Sequence, residues 1–166
     1  ITSAQAPYAR EETDLQGADL LTVVKQVKPT VLIGCSTVKG AFTKDVVCTM
    51  AKNVTHPIIF PLSNPTSLAE ATPKDIIEWT KGHAIVASGS PFDPVTYDDK
   101  TIRISQCNNA FMFPGIGLGV IASRATQVTD DMIGAACHAL SDWSPALEDP
   151  NAPVLPNFDH IHDISR

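Results

Sequence analysis

Three short polar stretches carry the residues with most to offer a ligand. The first is Gly34-Cys35-Ser36-Thr37-Val38-Lys39-Gly40. Its small residues and amides could approach a ribose or a phosphate. It lacks the Gly-Lys-Ser/Thr ending of a P-loop and is not G-x-G-x-x-G, so a plain strand-to-helix turn also accounts for it. The second is Leu62-Ser63-Asn64-Pro65-Thr66. Asn64 has a donor and an acceptor, which suits an amide or a carboxylate, although an Asn before Pro also serves simply to turn the chain. The third, residues 88–94, adds Ser88, Gly89 and Ser90. Further on, Asn108 and Asn109 precede an apolar segment, where paired amides need partners if buried; capping the next helix is the alternative role for one of them.

Other candidate chemistry is sparse. His56, His83, His138, His160 and His162 are scattered, and no Ser–His–Asp arrangement can be argued. Glu11, Glu12, Asp98 and Asp99 read as solvated or turn residues, and Asp130 and Asp131 as complements to a helix dipole. The residues alone therefore give polar loops suited to a nucleotide or a small acid, without a reaction.

The elements that must hold these loops follow from periodicity. Leu20, Leu21, Val23, Val24 and Val27 suit a short helix that Pro29 ends. Residues 30–34 are a β-branched apolar run, predicted to be a buried strand. Thr43 caps a helix carrying Val46, Val47 and Met50. Residues 57–62 are a second buried strand. Thr72-Pro73-Lys74-Asp75 is a helix start with Thr at the cap, Pro at the first position and a carboxylate in the first turn. Residues 84–87 are a third strand, 97–104 a hairpin turning at Asp98-Asp99, 114–123 a Gly-rich helix, and Thr129-Asp130-Asp131 the start of another. Alternating strands and helices predict a parallel α/β sheet, in which ligands bind at the C-terminal ends of the strands. The three polar loops fall there.

Composition narrows the class. The 166 residues suffice for one domain, and a formal charge of −6 excludes a phosphate-binding basic surface, so no nucleic-acid partner is expected. No run is long and apolar enough to span a bilayer, so no membrane association is expected. Cys35, Cys48, Cys107 and Cys137 form no C-x-x-C pair or zinc spacing, which points to a reducing, intracellular compartment, mitochondrial or cytoplasmic. Residues 1–14 are polar and irregular. The chain begins at Ile1 and ends in what reads as the opening of a helix, so a piece of a longer polypeptide is expected.

The motifs, in order, resemble the malic enzyme family. They are Lys28-Pro29-Thr30-Val31-Leu32-Ile33-Gly34, Gly40-Ala41-Phe42-Thr43, and Pro57-Ile58-Ile59-Phe60-Pro61-Leu62-Ser63-Asn64-Pro65-Thr66. They continue with Ala87-Ser88-Gly89-Ser90-Pro91-Phe92, Asn108-Asn109-Ala110-Phe111-Met112-Phe113-Pro114-Gly115 and Thr129-Asp130-Asp131-Met132. Each is weak singly; their order and spacing over residues 28 to about 140 carry the resemblance. The Cys35-Ser36-Thr37 form of the first loop is similar to fungal members.

The resemblance implies the second half of a Rossmann-like NAD(P)-binding domain with C-terminal helices: residues 1–140 in that domain and 141–166 at the start of a C-terminal extension. It implies oxidative decarboxylation of malate to pyruvate by a full-length, homo-oligomeric enzyme. Hydride passes from malate C2 to the nicotinamide, and a divalent metal, Mg2+ or Mn2+, stabilises the enolate left by loss of carbon dioxide. Asn64 and Asn109 would orient malate, a positioning role. Gly34, Cys35, Ser36, Thr37, Ser63, Asn64 and Asn108 would line the cofactor. The first loop departs from the Gly-rich form of many members, which bears on the contacts of Thr37 and Lys39.

The family's catalytic Tyr, Lys base, metal carboxylates and dinucleotide fingerprint would all precede residue 1. No catalytic or metal-ligating residue is therefore assigned in this chain, which alone is expected to be catalytically silent. The rival readings are a cofactor-binding fragment without activity and another α/β dehydrogenase sharing this half-domain. Gln5 aligns with the segment reaching the adenosine ribose, where NADP-preferring members tend to carry Lys. A neutral Gln can bond a hydroxyl but cannot offset a 2′-phosphate, so NAD is expected, with some NADP use.

Overall fold

The computed structural model describes residues 2–9, 14–149 and 152–166. Glu11 and Glu12, expected at the surface, lie outside the described residues.

Helix starts follow the capping chemistry. Helix α1 (Leu20–Val27) begins where the Asp19 carboxylate accepts from Thr22 N at 2.8 Å. It ends at Lys28 in a left-handed conformation, φ 49°, one residue before the proline. Thr43 caps α2 (Lys44–Asn53), Thr72 caps α3 (Pro73–Trp79) and Thr129 caps α5 (Asp130–Asp142), each through its hydroxyl oxygen. Such caps are worth about 1 kcal/mol each.

Strands β1 (Val31–Gly34), β2 (Ile58–Pro61), β3 (Ile85–Ser88) and β6 (Ser105–Gln106) form a four-stranded parallel sheet in the order β1-β2-β3-β6. Leu32 pairs with Ile59, Ile59 with Val86 and Ser88 with Gln106. Helices α2 and α3 make the crossovers. Between β3 and β6 lies the hairpin of β4 (Val95–Tyr97) and β5 (Lys100–Ile102). It turns at Asp98 and Asp99, φ 50° and 59°, the paired positive dihedrals of a tight two-residue turn. The hairpin thus starts two residues before the expected Tyr97.

The core gathers Val24, Phe42, Val46, Val47, Met50, Ile59, Ala71 and Ile76 between α1–α3 and one face of the sheet. A second cluster joins Ile77, Val95 and Ile104. The expectation of fully buried strands is corrected at β1, where Val31 is 43% and Ile33 58% exposed. Successive strand side chains face opposite ways, so Leu32 meets the core while its neighbours face the side that α1–α3 do not cover.

Beyond β6 come α4 (Phe113–Ser123), α5 and α6 (Ile161–Ile164). Phe111 is buried and stacks on Phe158 at 4.5 Å. Ser105 Oγ accepts from Leu155 N at 3.1 Å, tying the C-terminal segment to the sheet. Among the described residues no helix is long and apolar enough to cross a membrane.

Candidate active-site edge

The strand exits are knitted side by side. Leu62 N donates to Gly34 O at 2.9 Å, Gly89 N to Pro61 O at 3.3 Å, and Cys107 N to Ser88 O at 2.8 Å. This brings the loops after β1, β2, β3 and β6 to one edge of the sheet, with Ser36, Thr37, Ser63, Asn64, Ser90, Asn108 and Asn109 along it.

At its centre lies Glu70, a residue that motif reading passes over. It is fully buried. Its Oε1 accepts from Ser36 N at 2.8 Å, Ser36 Oγ at 2.8 Å and Ser63 Oγ at 2.5 Å, and its Oε2 from Ser63 N at 3.4 Å. Burial pushes this carboxyl up, but donation from the Ser63 hydroxyl, the Ser36 amide, its own amide and the Ser36 hydroxyl outweighs that and holds it below its ordinary range. Glu70 is a buried anion solvated by the protein. The one available signal was a carboxylate set between Ala69 and Ala71, both buried.

Gly34 has its reason here. A Cβ at that position would lie 2.6 Å from the Glu70 carboxyl carbon, so only glycine leaves the carboxylate room. The loop amides expected to approach a phosphate are turned inward instead. Ser36 N donates to Glu70, Thr37 N to Ser63 Oγ at 2.8 Å and Val38 N to Ser36 Oγ at 3.2 Å. Thr37 takes φ 56° to do so. With those amides used and an anion beneath, the loop is not a phosphate nest; its exposed residues 35–37 carry a thiol and two hydroxyls, groups suited to hydroxyl or amide partners.

Asn64 is exposed and oriented. The buried Ser90 donates its hydroxyl to Asn64 Oδ1, leaving the Nδ2 hydrogens for an acceptor. Gly89 makes the approach possible, because a Cβ there would fall 2.1 Å from Leu62 O and 3.1 Å from Asn64 Nδ2. The two neighbouring amides differ. Asn108 Oδ1 accepts from Ala110 N at 2.9 Å and caps the turn Asn109–Phe111, whereas Asn109 stands exposed.

Cys35 is exposed, and burial, then the Cys35 charge, push the Cys107 thiol up, which makes Cys107 a poor nucleophile. Gln5 is not drawn to this edge by its hydrogen bonds: its side-chain oxygen accepts from Thr2 N at 2.9 Å within its own turn. The rings of His56 and His83 meet at 5.8 Å beside the opposite, N-terminal strand ends. Among the described residues no group of three or more His, Cys, Asp or Glu could hold a metal ion.

Comparison with known proteins decides the family. A family model described as "Malic enzyme, NAD binding domain" matches residues 1–166. The chain belongs to the malic enzyme family. It is 57% identical over 147 residues to an NAD-dependent malic enzyme of Acinetobacter baylyi, covering 89% of this chain and 26% of that protein. It is 55% identical over the same length to one of Shewanella baltica (strain OS185), with the same coverage. Against one of Shewanella sediminis it is 47% identical over 169 residues, 98% of this chain and 30% of that protein. The chain thus spans little more than a quarter of the malic enzymes it matches. These relatives are bacterial and lend no support to the fungal likeness of the first loop. The parallel sheet and its polar C-terminal edge are the α/β, Rossmann-like architecture of a malic enzyme NAD-binding domain.

Proposed function

We propose that the full-length enzyme converts malate and NAD to pyruvate, carbon dioxide and NADH, and that this chain contributes the loops that orient malate against the nicotinamide. The observation that carries the reading is Asn64: exposed at the strand ends, fixed by Ser90, and presenting a donor. NAD, when bound, supplies the acceptor for the C2 hydride, and a divalent cation, Mg2+ or Mn2+, the Lewis acid; the family resemblance assigns the cation's ligands to residues outside this chain.

The residues present suit the nicotinamide end of the dinucleotide. The exposed loop of Cys35, Ser36 and Thr37 carries a thiol and two hydroxyls, a match for ribose hydroxyls. Asn64 Nδ2 suits a carboxamide or carboxylate oxygen, and Asn109 can donate to malate from the neighbouring loop. Both amides act by holding a reacting carbon in place rather than by moving a proton. The cofactor preference is for NAD, on the neutrality of Gln5 and on the similarity to NAD-dependent malic enzymes.

The test is Asn64→Ala and Asn109→Ala in the full-length enzyme. Each should lower kcat/KM for malate by roughly tenfold to a hundredfold, the loss of one hydrogen bond to a buried ligand, while the melting temperature stays near wild type. Wild-type kinetics in both variants would sink the assignment. A collapsed melting temperature would make Asn64 a turn residue only.

A further inference from the structure

We infer that Glu70 is a positioning residue for the cofactor, joining the loop after β1 to the loop after β2 so that both present one surface to NAD. The inference rests on the reading that this edge takes NAD. Its geometry is independent of that reading. A single carboxylate accepts from both loops, from Ser36 on one and Ser63 on the other. Ser63 Oγ relays the link, since its own hydrogen goes to Glu70 while it accepts from Thr37 N. The backbone repeats the connection, with Phe42 N donating to Glu70 O at 3.0 Å. Among the described residues no cation acts on the carboxylate; its donors there are neutral loop groups.

A buried anion so held is a costly way to join two turns. An apolar side chain would fill the space without the desolvation penalty. What the carboxylate adds is direction. It takes the Ser36 amide directly and, through Ser63 Oγ, holds the Thr37 amide, with Thr37 at positive φ. Ser63 precedes Asn64, so the same anchor sets where the Asn64 backbone begins.

Glu70→Gln keeps the shape but removes the charge and turns an NH2 group toward the Ser63 amide, donor against donor. The experiment uses the full-length enzyme. NADH binding is read by fluorescence titration, with steady-state KM for NAD, kcat and melting temperature alongside. Glu70→Gln is expected to weaken NADH binding and raise KM for NAD by about tenfold or more at a temperature where the variant is fully folded. Kcat at saturating NAD should change less than the KM. A merely structural Glu70 would lower the melting temperature and leave the NADH affinity alone, and that result overturns the inference. Should Glu70→Gln fail to fold, Glu70→Asp keeps the charge but draws it back from the Ser36 and Ser63 donors; it should weaken NADH binding about threefold, and unchanged binding in the folded variant overturns the inference equally. A wild-type enzyme that binds no NADH would sink the functional reading and this inference with it. Tight wild-type binding with an unaffected, folded Glu70→Gln sinks the inference only.

Discussion

Two glycine-bearing regions of this chain are built on opposite terms. At the exits of β1 and β3, Gly34 and Gly89 sit where a methyl group would strike Glu70 or the Leu62 carbonyl. In α4, Gly117 and Gly119 face open space, with nothing within 4 Å of the place a Cβ would take. The neighbourhoods match. Around the strands, α2 and α3 bury Val47, Ile59 and Ile76 completely. Helix α4 carries no charge and is apolar on all sides, yet it buries no residue, and Leu118 and Ile121 are 54% and 76% exposed. A helix hydrophobic all round normally lies inside a larger structure. The lesson is that the sheet edge is finished within these residues, whereas α4 carries more apolar surface than they cover.

Substituting both kinds of glycine should bring out that contrast most visibly. Gly89→Ala is expected to cost ~4 kcal/mol or to abolish folding, because the strands must part to admit the methyl. Gly117→Ala should instead stabilise the chain by roughly 0.5–1 kcal/mol, the usual gain of Ala over Gly in a helix interior. Urea unfolding of both variants checks the pair. Equal effects would mean that the two regions are not packed as differently as described.

Acid provides a second, smaller probe of the finished edge. Burial raises the Glu70 carboxyl, and donation from Ser63 and Ser36 more than reverses this, so its folded value is depressed. Its contribution is therefore fully present above the ordinary glutamate range and is lost as pH falls through the folded value. Glu70→Gln should lower stability at neutral pH and flatten the acid limb of the stability curve. A variant whose acid limb runs parallel to wild type would show that Glu70 is not the group titrating.

The smallest expected effect lies outside both regions. Gln5→Lys in the full-length enzyme should shift the ratio of kcat/KM for NAD and NADP toward NADP, by supplying charge for a 2′-phosphate. An unmoved ratio, or a wild type already preferring NADP, would remove Gln5 as a determinant.

The parts of this fold governed by local rules were the legible ones. Thr43, Thr72 and Thr129 announce helix starts because a hydroxyl oxygen ahead of an apolar-periodic run can satisfy a free amide. Strands β1 to β3 stand out as β-branched runs, and Asp98-Asp99 marks its turn. Val95 and Thr96 follow Pro94 and resemble loop, so the hairpin reads as starting late. Strand β6 is two polar residues held by β3, with no periodicity to show it. Exposure of Val31 and Ile33 escapes a pattern that reads any apolar run as buried. At the site, Asn64 and the Asn108-Asn109 pair are conspicuous by type, and the division of labour between the latter two needs the turn geometry. Glu70 stays hidden because its partners, Ser36 and Ser63, lie 34 and seven positions away along the chain.

Strand β1 stands at the end of the sheet order. Among the described residues it pairs with β2 alone, so its other side presents a ladder of backbone donors and acceptors. Val31-Leu32-Ile33-Gly34 carries no charge and no proline, the features that discourage one open ladder from joining another. These residues expressed by themselves would offer a template to any extended segment nearby, including a second copy of the same strand, and their self-association should grow as their concentration rises.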